Sequence, residues 1–396
     1  MEQKIIGTTT VFFTDRCREK NKGILKLTHP AMLVEEETLH WLDSIHLDDV
    51  AANMDADLRT AAENALSKGT VLLANTAWKT ADEWEKWLQK DNKKKKRVHL
   101  LALGDVGSTV LTALKLLGGD CIETLGIYDV NPDVCARWET ELNQAAFPWD
   151  YDALPAVEIL TEDQLFDCDM FVFCASKGIP PVGAQVQDVR MVQYEANKGI
   201  ISVFAKKARD AKFEGLFAVV SDPVDPLCRA AFLASNEDGA GNFDGKGLRP
   251  EQVQGYGLGV MNARAAYYAK QNSEFADFLT EGRAFGPHGQ DLVIANSVDH
   301  YDDERSKALT KLAIEANLRM RELGFKPYVA PAISSAAISL LLTLRGEWHY
   351  SSNFLNGVYM GSKNRTTLGV EIESLPLPDA LFQRIQKAYD GLEMIR

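Results

Sequence analysis

The sequence predicts an α/β protein built on a parallel sheet, with a small α/β region before it and a mixed α+β region after it. Three observations carry this. From Val98, short apolar runs alternate with helix-length segments for roughly 130 residues, the rhythm of parallel strands joined by crossover helices. The first of those runs ends in a glycine-bearing turn that opens a helix. A chain of 396 residues with 46% hydrophobic content can also bury more than one core.

Taken in order, residues 1–92 read as an N-terminal α/β extension of unknown role. Thr8–Thr14 and Gly23–Leu27 have strand composition, Leu58–Lys68 is helical, Thr70–Asn75 is a strand, and Ala81–Lys90 is a tryptophan-bearing helix. The basic run Asp91–Arg97 reads as a solvated connector and a boundary. The parallel-sheet domain is expected over 97–226 and the mixed α+β domain over 227–396. In the latter, Asn236–Gly247 is expected to be a mobile surface loop. Its acidic spacing and missing closing glutamate argue against an EF-hand calcium site. A long helix is expected around Asp303–Leu323, and an apolar run follows at Ala332–Leu344.

A net charge of −13 disfavours nucleic acid as a partner. No stretch approaches the ~18 apolar residues of a membrane span, and the first residues lack a secretory pattern. The six cysteines form no C-x-x-C pair and no metal spacing, a pattern of reducing compartments. The expectation is a cytoplasmic protein without a metal site.

Val98–Gly107 is a buried-type strand running into a turn, and Val110–Leu117 continues as a helix. The turn follows the dinucleotide pattern G-x-G-x-x-G with alanine, Ala102, in the first position. Gly104 lets backbone approach a pyrophosphate, and Gly107 lets helix and strand pack closely. The amides of Asp105 and Val106 lie at the helix start, where N–H groups meet phosphate. Ala102 is tolerable there only if φ stays negative. Leu125–Asp129 is a second strand, ending in a carboxylate 22 residues after Gly107. A carboxylate there suits the adenine ribose hydroxyls and repels a 2′-phosphate, so NAD is the expected cofactor of a Rossmann-type domain.

Further stretches follow in order. Asp169–Ser176 is a buried-type strand ending in small residues, Ala175 among them. Val219–Asp225 is a strand that stops at a proline and carries Ser221 and Asp222. Gly257–Arg264 opens a helix, and Gly286-Pro287-His288-Gly289 places a histidine between glycines. An imidazole there can exchange a proton near neutral pH.

With these motifs in this order, residues 97–396 resemble the lactate/malate dehydrogenase family. The resemblance implies that His288 is the catalytic proton donor and acceptor, and that Arg264 forks the substrate carboxylate. Arg190, seven residues before Asn197, would polarise the ketone from a loop that closes over the site. It places Gly104, Asp105, Val106, Gly107, Asp129, Ala175, Asn197 and Ser221 around the cofactor. It also implies a homo-oligomer, dimer or tetramer, acting on a small 2-oxo or 2-hydroxy acid.

The chain departs from the family twice. The carboxylate expected three residues before the helix arginine is Met261, which cannot orient an imidazole. The asparagine expected before Pro-Val-Asp is Asp222. We therefore expect the carboxylate to have moved, with Asp222 partnering His288 and favouring its protonated form. The loop Lys177–Asp188 contains no arginine, which favours a monocarboxylic substrate over oxaloacetate. Two alternatives stand: a catalytically altered or inactive NAD-binding protein on the same fold, and a malate dehydrogenase-like enzyme.

Overall fold

The computed structural model describes residues 1–15, 38–42, 56–89, 95–177 and 189–395. The expected strand Gly23–Leu27 and the run Asp91–Lys94 lie outside them.

The N-terminal region forms β1 (Glu2–Ile6), β2 (Thr9–Thr14), β3 (Leu39–Leu42), α1 (Ala56–Leu66), β4 (Thr70–Asn75) and α2 (Ala81–Leu88). Its strands make one sheet in the order β1-β2-β4-β3, with β2 and β4 parallel. A capping box explains the start of α2: the Thr80 hydroxyl accepts the Glu83 N–H, and the Glu83 carboxylate accepts the Thr80 N–H at 2.8 Å. The buried Trp84 donates its Nε1–H to the Asn75 carbonyl at 2.8 Å, tying α2 to the end of β4.

This region is fastened to the rest of the chain through Arg249. Its guanidinium bonds Glu251 at 2.6 Å and Glu214 at 2.9 Å, and it lies 4.8 Å from the Trp87 ring centroid. Thr38 donates to the same Glu251, and Lys79 reaches Glu214 at 3.2 Å. Burying an ion pair is costly unless its members are hydrogen-bonded, and here several donors converge on two carboxylates.

The second body carries β5 (Lys96–Leu101), α3 (Asp105–Leu117), β6 (Ile122–Tyr128), α4 (Pro132–Asn143), β7 (Ala156–Ile159), β8 (Met170–Phe173), α5 (Val189–Asp210), β9 (Leu216–Val219), α6 (Val224–Ser235) and β10 (Val253–Gly255). Strands β5 to β10 pair in parallel in the order β7-β6-β5-β8-β9-β10. The order reverses direction between β5 and β8. That is the switch point of a doubly wound sheet, where a crevice opens at the strand C-termini. Strands buried on both faces need continuous apolar runs, and Met170–Phe173 is buried throughout. Lys96 and Arg97 belong to β5, so the basic run ends inside a strand and is not wholly a connector. Helix α3 begins at Asp105, five residues before the expected Val110, because Gly104 is its cap and the Ser108 and Thr109 hydroxyls return to carbonyls one turn back.

Beyond these lie α7 (Leu258–Gln271), α8 (Phe278–Glu281), β11 (Arg283–Phe285), β12 (Val293–Ala295), α9 (Asp303–Glu322), a π-helical turn over Pro331–Ala337, α10 (Ile338–Arg345), β13 (His349–Leu355), β14 (Val358–Thr366), β15 (Val370–Ile372) and α11 (Asp379–Glu393). Strands β13, β14 and β15 continue the large sheet past β10 in antiparallel sense. The loop Asn236–Gly247, expected to be mobile, is held: Arg209 grips Asp244 bidentately at 2.8 and 2.5 Å, and the Asp238 carboxylate accepts the N–H groups of Ala240 and Asn242. The sequence places the charges but not the pairing across 35 residues.

Candidate active site

The site gathers at the C-terminal ends of β5, β8, β9 and β10. In the glycine turn, Ala102 adopts φ +72°, the left-handed region that penalises a Cβ. The condition under which alanine was tolerable is therefore not met. Its carbonyl points at Gly107, where an added Cβ would lie 2.0 Å from the Ala102 oxygen and 3.3 Å from the Cys174 Cβ. Only glycine fits, so α3 presses directly on the turn. At Gly104 an added Cβ would meet nothing within 4 Å, leaving its backbone open to approach.

Asp129, just beyond β6, accepts the Leu103 N–H at 2.8 Å on one oxygen and the Asn131 N–H at 3.0 Å on the other. Each carboxylate oxygen keeps a further lone pair for a hydroxyl. Asp105 puts a negative charge in the first turn of α3, where a dinucleotide phosphate would come, and Lys326 pairs with it at 2.9 Å. Val106 packs half-buried against the core. An open Gly104, an obligatory Gly107 and a carboxylate with spare lone pairs fit a dinucleotide, at the expense of strain at Ala102.

Asn197, fully buried on α5, joins the ends of β8 and β9. Its oxygen accepts the Lys177 N–H at 2.9 Å, and its amide donates to the Asp222 carbonyl at 2.7 Å and to the Ser176 hydroxyl at 3.2 Å. Ser221 donates to the Ala175 carbonyl at 2.7 Å. The Asn197 and Ser221 side chains thus stitch the ends of β8 and β9 together. Arg190 lies in the first turn of α5; its side chain, and the loop 178–188 before it, are outside the described residues.

His288 follows Gly286, whose φ is +86°, and precedes Gly289, whose φ is +133°. A Cβ on Gly257 would lie 2.8 Å from the His288 Cβ, so the start of α7 must be bare for the histidine to sit there. Its Nδ1 lies 3.2 Å from Asp222 Oδ1, the pairing expected when the family's carboxylate is displaced. Its backbone N–H reaches Asp225 Oδ2 at 3.4 Å, and Ser352 donates to the other oxygen of Asp225 at 2.7 Å. Burial pushes the Asp225 carboxyl up to about 6, against the opposing pull of the Ser352 hydroxyl and the His288 amide. Asp222 is half exposed while the His288 side chain is 14% exposed, so the imidazole is the more sheltered of the pair.

Arg264 is held by neutral acceptors: Asn317 on α9, the Ala313 carbonyl at 3.4 Å and the Met261 sulfur at 3.5 Å. Among the described residues no carboxylate pairs with it. Burial lowers its proton affinity, and the nearby charge of Asp222 opposes that. A guanidinium so placed can take an anion through its fork of N–H donors. Met261, buried, touches Arg264 and makes no bond to the imidazole.

Sequence reasoning missed three residues. Asp225 stands three positions after Asp222 on the strand-to-helix turn, a spacing that could have been read. Lys326 and Asn317 reach the site from 221 and 53 residues away in sequence, with no local signal. Among the described residues, no group of His, Cys, Asp and Glu is arranged to hold a metal ion, and no helix is long and apolar enough to cross a membrane.

These elements define a doubly wound, Rossmann-type α/β fold followed by a mixed α/β region whose His288 meets Asp222 at the end of β9. No family model matches the chain. Curated relatives include a malate dehydrogenase of Sulfurimonas denitrificans, 26% identical over 279 residues, covering 67% of this chain and 81% of the relative. Another is an L-lactate dehydrogenase of Mesomycoplasma hyopneumoniae, 24% identical over 232 residues, covering 58% of this chain and 67% of the relative. Among solved structures, the minor L-lactate dehydrogenase of Enterococcus mundtii superposes with a TM-score of 0.61 at 18% identity, covering 76% of this chain and 98% of the other. The malate dehydrogenase of Archaeoglobus fulgidus in complex with NADH gives 0.60 at 18% identity, with the same coverage. The chain is thus similar in sequence to malate and L-lactate dehydrogenases and shares the fold of their solved structures.

Proposed function

We propose that this protein is an NAD-dependent oxidoreductase interconverting a 2-oxo acid and a 2-hydroxy acid, with a monocarboxylic substrate favoured over oxaloacetate. The observation that carries the reading is the His288 Nδ1 to Asp222 Oδ1 contact at 3.2 Å, which restores a carboxylate to the histidine where Met261 has removed one. The cofactor, when bound, supplies or accepts the hydride. Gly104, Gly107 and the start of α3 would hold its phosphates and Asp129 its ribose.

The chain's own residues do the rest. Arg264 binds the substrate carboxylate with its guanidinium and fixes the acid's orientation. His288 protonates the ketone oxygen through Nε2 while Asp222 holds Nδ1–H, and in the reverse direction His288 takes the hydroxyl proton. Asp225 fixes the loop that carries the imidazole by accepting its backbone N–H. Arg190, brought from α5, would polarise the carbonyl. The experiment is a panel of 2-oxo acids with NADH, following loss of reduced-cofactor absorbance. Turnover of a monocarboxylic acid is expected. Absence of turnover with any acid, while NADH still binds, would overturn the reading in favour of a binding protein.

A further inference from the structure

Resting on that reading, we infer that the substrate carries a bulky aromatic side chain, housed in a cavity of about 900 Å³ between α7, the C-terminal half of α9 and the segment Leu323–Pro331. Arg264, the anchor for the acid, lines one part of the cavity and Asp105 in the cofactor turn another, so the space beside Arg264 is open to a side chain carried by the bound acid. Its volume lies at the upper end of the ~300–1,000 Å³ range of small-molecule sites, far beyond the needs of a three-carbon acid. Tyr267, Tyr268, Met320, Leu323, Phe325 and Val329 line it.

Several of these apolar groups are exposed: Phe325 by 70%, Leu323 by 61% and Tyr267 by 53%. Tyr267 and Tyr268 meet edge to face with centroids 5.2 Å apart, an arrangement that a further ring can extend. Charge on the lining is already committed or outermost. Lys326 is paired with Asp105, and Arg319 is exposed in the last turn of α9, so a second carboxylate meets no buried cation. Ala316, also on the wall, leaves the space that a larger residue would close.

The test compares kcat/KM for phenylpyruvate, pyruvate and oxaloacetate with NADH, in the full chain and in Ala316→Trp and Phe325→Ala. Phenylpyruvate is expected to exceed pyruvate by at least about ten-fold, the discrimination that even small apolar groups achieve in a fitted pocket. Both variants should lower that ratio several-fold, with NADH fluorescence titration reporting an intact cofactor site. Phe325→Ala removes an exposed ring and serves if Ala316→Trp does not fold. A preference for pyruvate or oxaloacetate overturns the inference and leaves the oxidoreductase reading standing, as does an unchanged ratio in Phe325→Ala. Failure of every acid in the wild type overturns both.

Discussion

Replacing Ala102 with glycine tests whether the cofactor turn carries real strain. Alanine at φ +72° bears a left-handed penalty of about 1–2 kcal/mol. Glycine removes it but gains unfolded-state freedom worth roughly 0.5–1 kcal/mol. The partly buried methyl packs at the edge of the core, and its loss takes back less than about 0.8 kcal/mol. The mid-values sum to about 0.4 kcal/mol stabilising, within bounds of about 0.8 kcal/mol destabilising and about 1.5 kcal/mol stabilising. At an ordinary position the same replacement destabilises by 0.5–1 kcal/mol. Urea unfolding at pH 7, with the midpoint and slope compared between wild type and Ala102→Gly, separates the two. An unaltered or raised midpoint is expected. A fall equivalent to about 1 kcal/mol at unchanged slope would refute the strain argument. NADH affinity should hold or rise, since the backbone path is the one glycine prefers.

Gly107→Ala drives a Cβ to 2.0 Å from the Ala102 carbonyl, so the turn must move by more than an ångström and NADH affinity by fluorescence titration should fall at least about ten-fold. Arg264→Lys keeps the charge and loses the fork, so kcat/KM should drop by about 10–100-fold, mainly through KM. Asp225 gives a pH signature. Its carboxyl is raised by burial from 3.8 to about 6, so the folded state holds the proton more tightly than the unfolded chain. The stability it contributes is present below about pH 4 and is lost as pH rises towards 6, a displacement equivalent to about 3 kcal/mol. Asp225→Asn lacks this loss, so its unfolding midpoint relative to wild type should be higher at pH 7.5 than at pH 4; a constant difference counts against a buried, protonating Asp225.

The central sheet was legible because strands buried on both faces must be apolar and short, and because glycine is needed where α3 presses on β5. Thr9–Thr14, Thr70–Asn75 and α9 follow their local patterns closely. The ends of elements were less legible: the apolar run that reads as helix begins at Val110, and only the glycine turn marks the start of α3 at Asp105. Within the site, the contact between Asp222 and His288 could be read from the sequence because Met261 stands where the resemblance expects a carboxylate and Asp222 where it expects an asparagine. Lys326 and Asn317 could not, because they arrive through the packing of α9 and the following segment against α3 and α7. The docking of the N-terminal sheet through Arg249, Glu251 and Glu214 likewise depends on three-dimensional convergence that spacing does not encode.

The most direct measurement is kcat for 2-oxo acid reduction in wild type and Asp222→Asn, with NADH affinity followed by fluorescence titration. Asp222 Oδ1 lies 3.2 Å from His288 Nδ1, where it can hold the ring and aim Nε2 at the ketone oxygen. The account predicts that kcat falls at least about ten-fold in Asp222→Asn while NADH affinity is retained. A kcat unchanged from wild type would contradict the claim that Asp222 has taken over as the partner of His288.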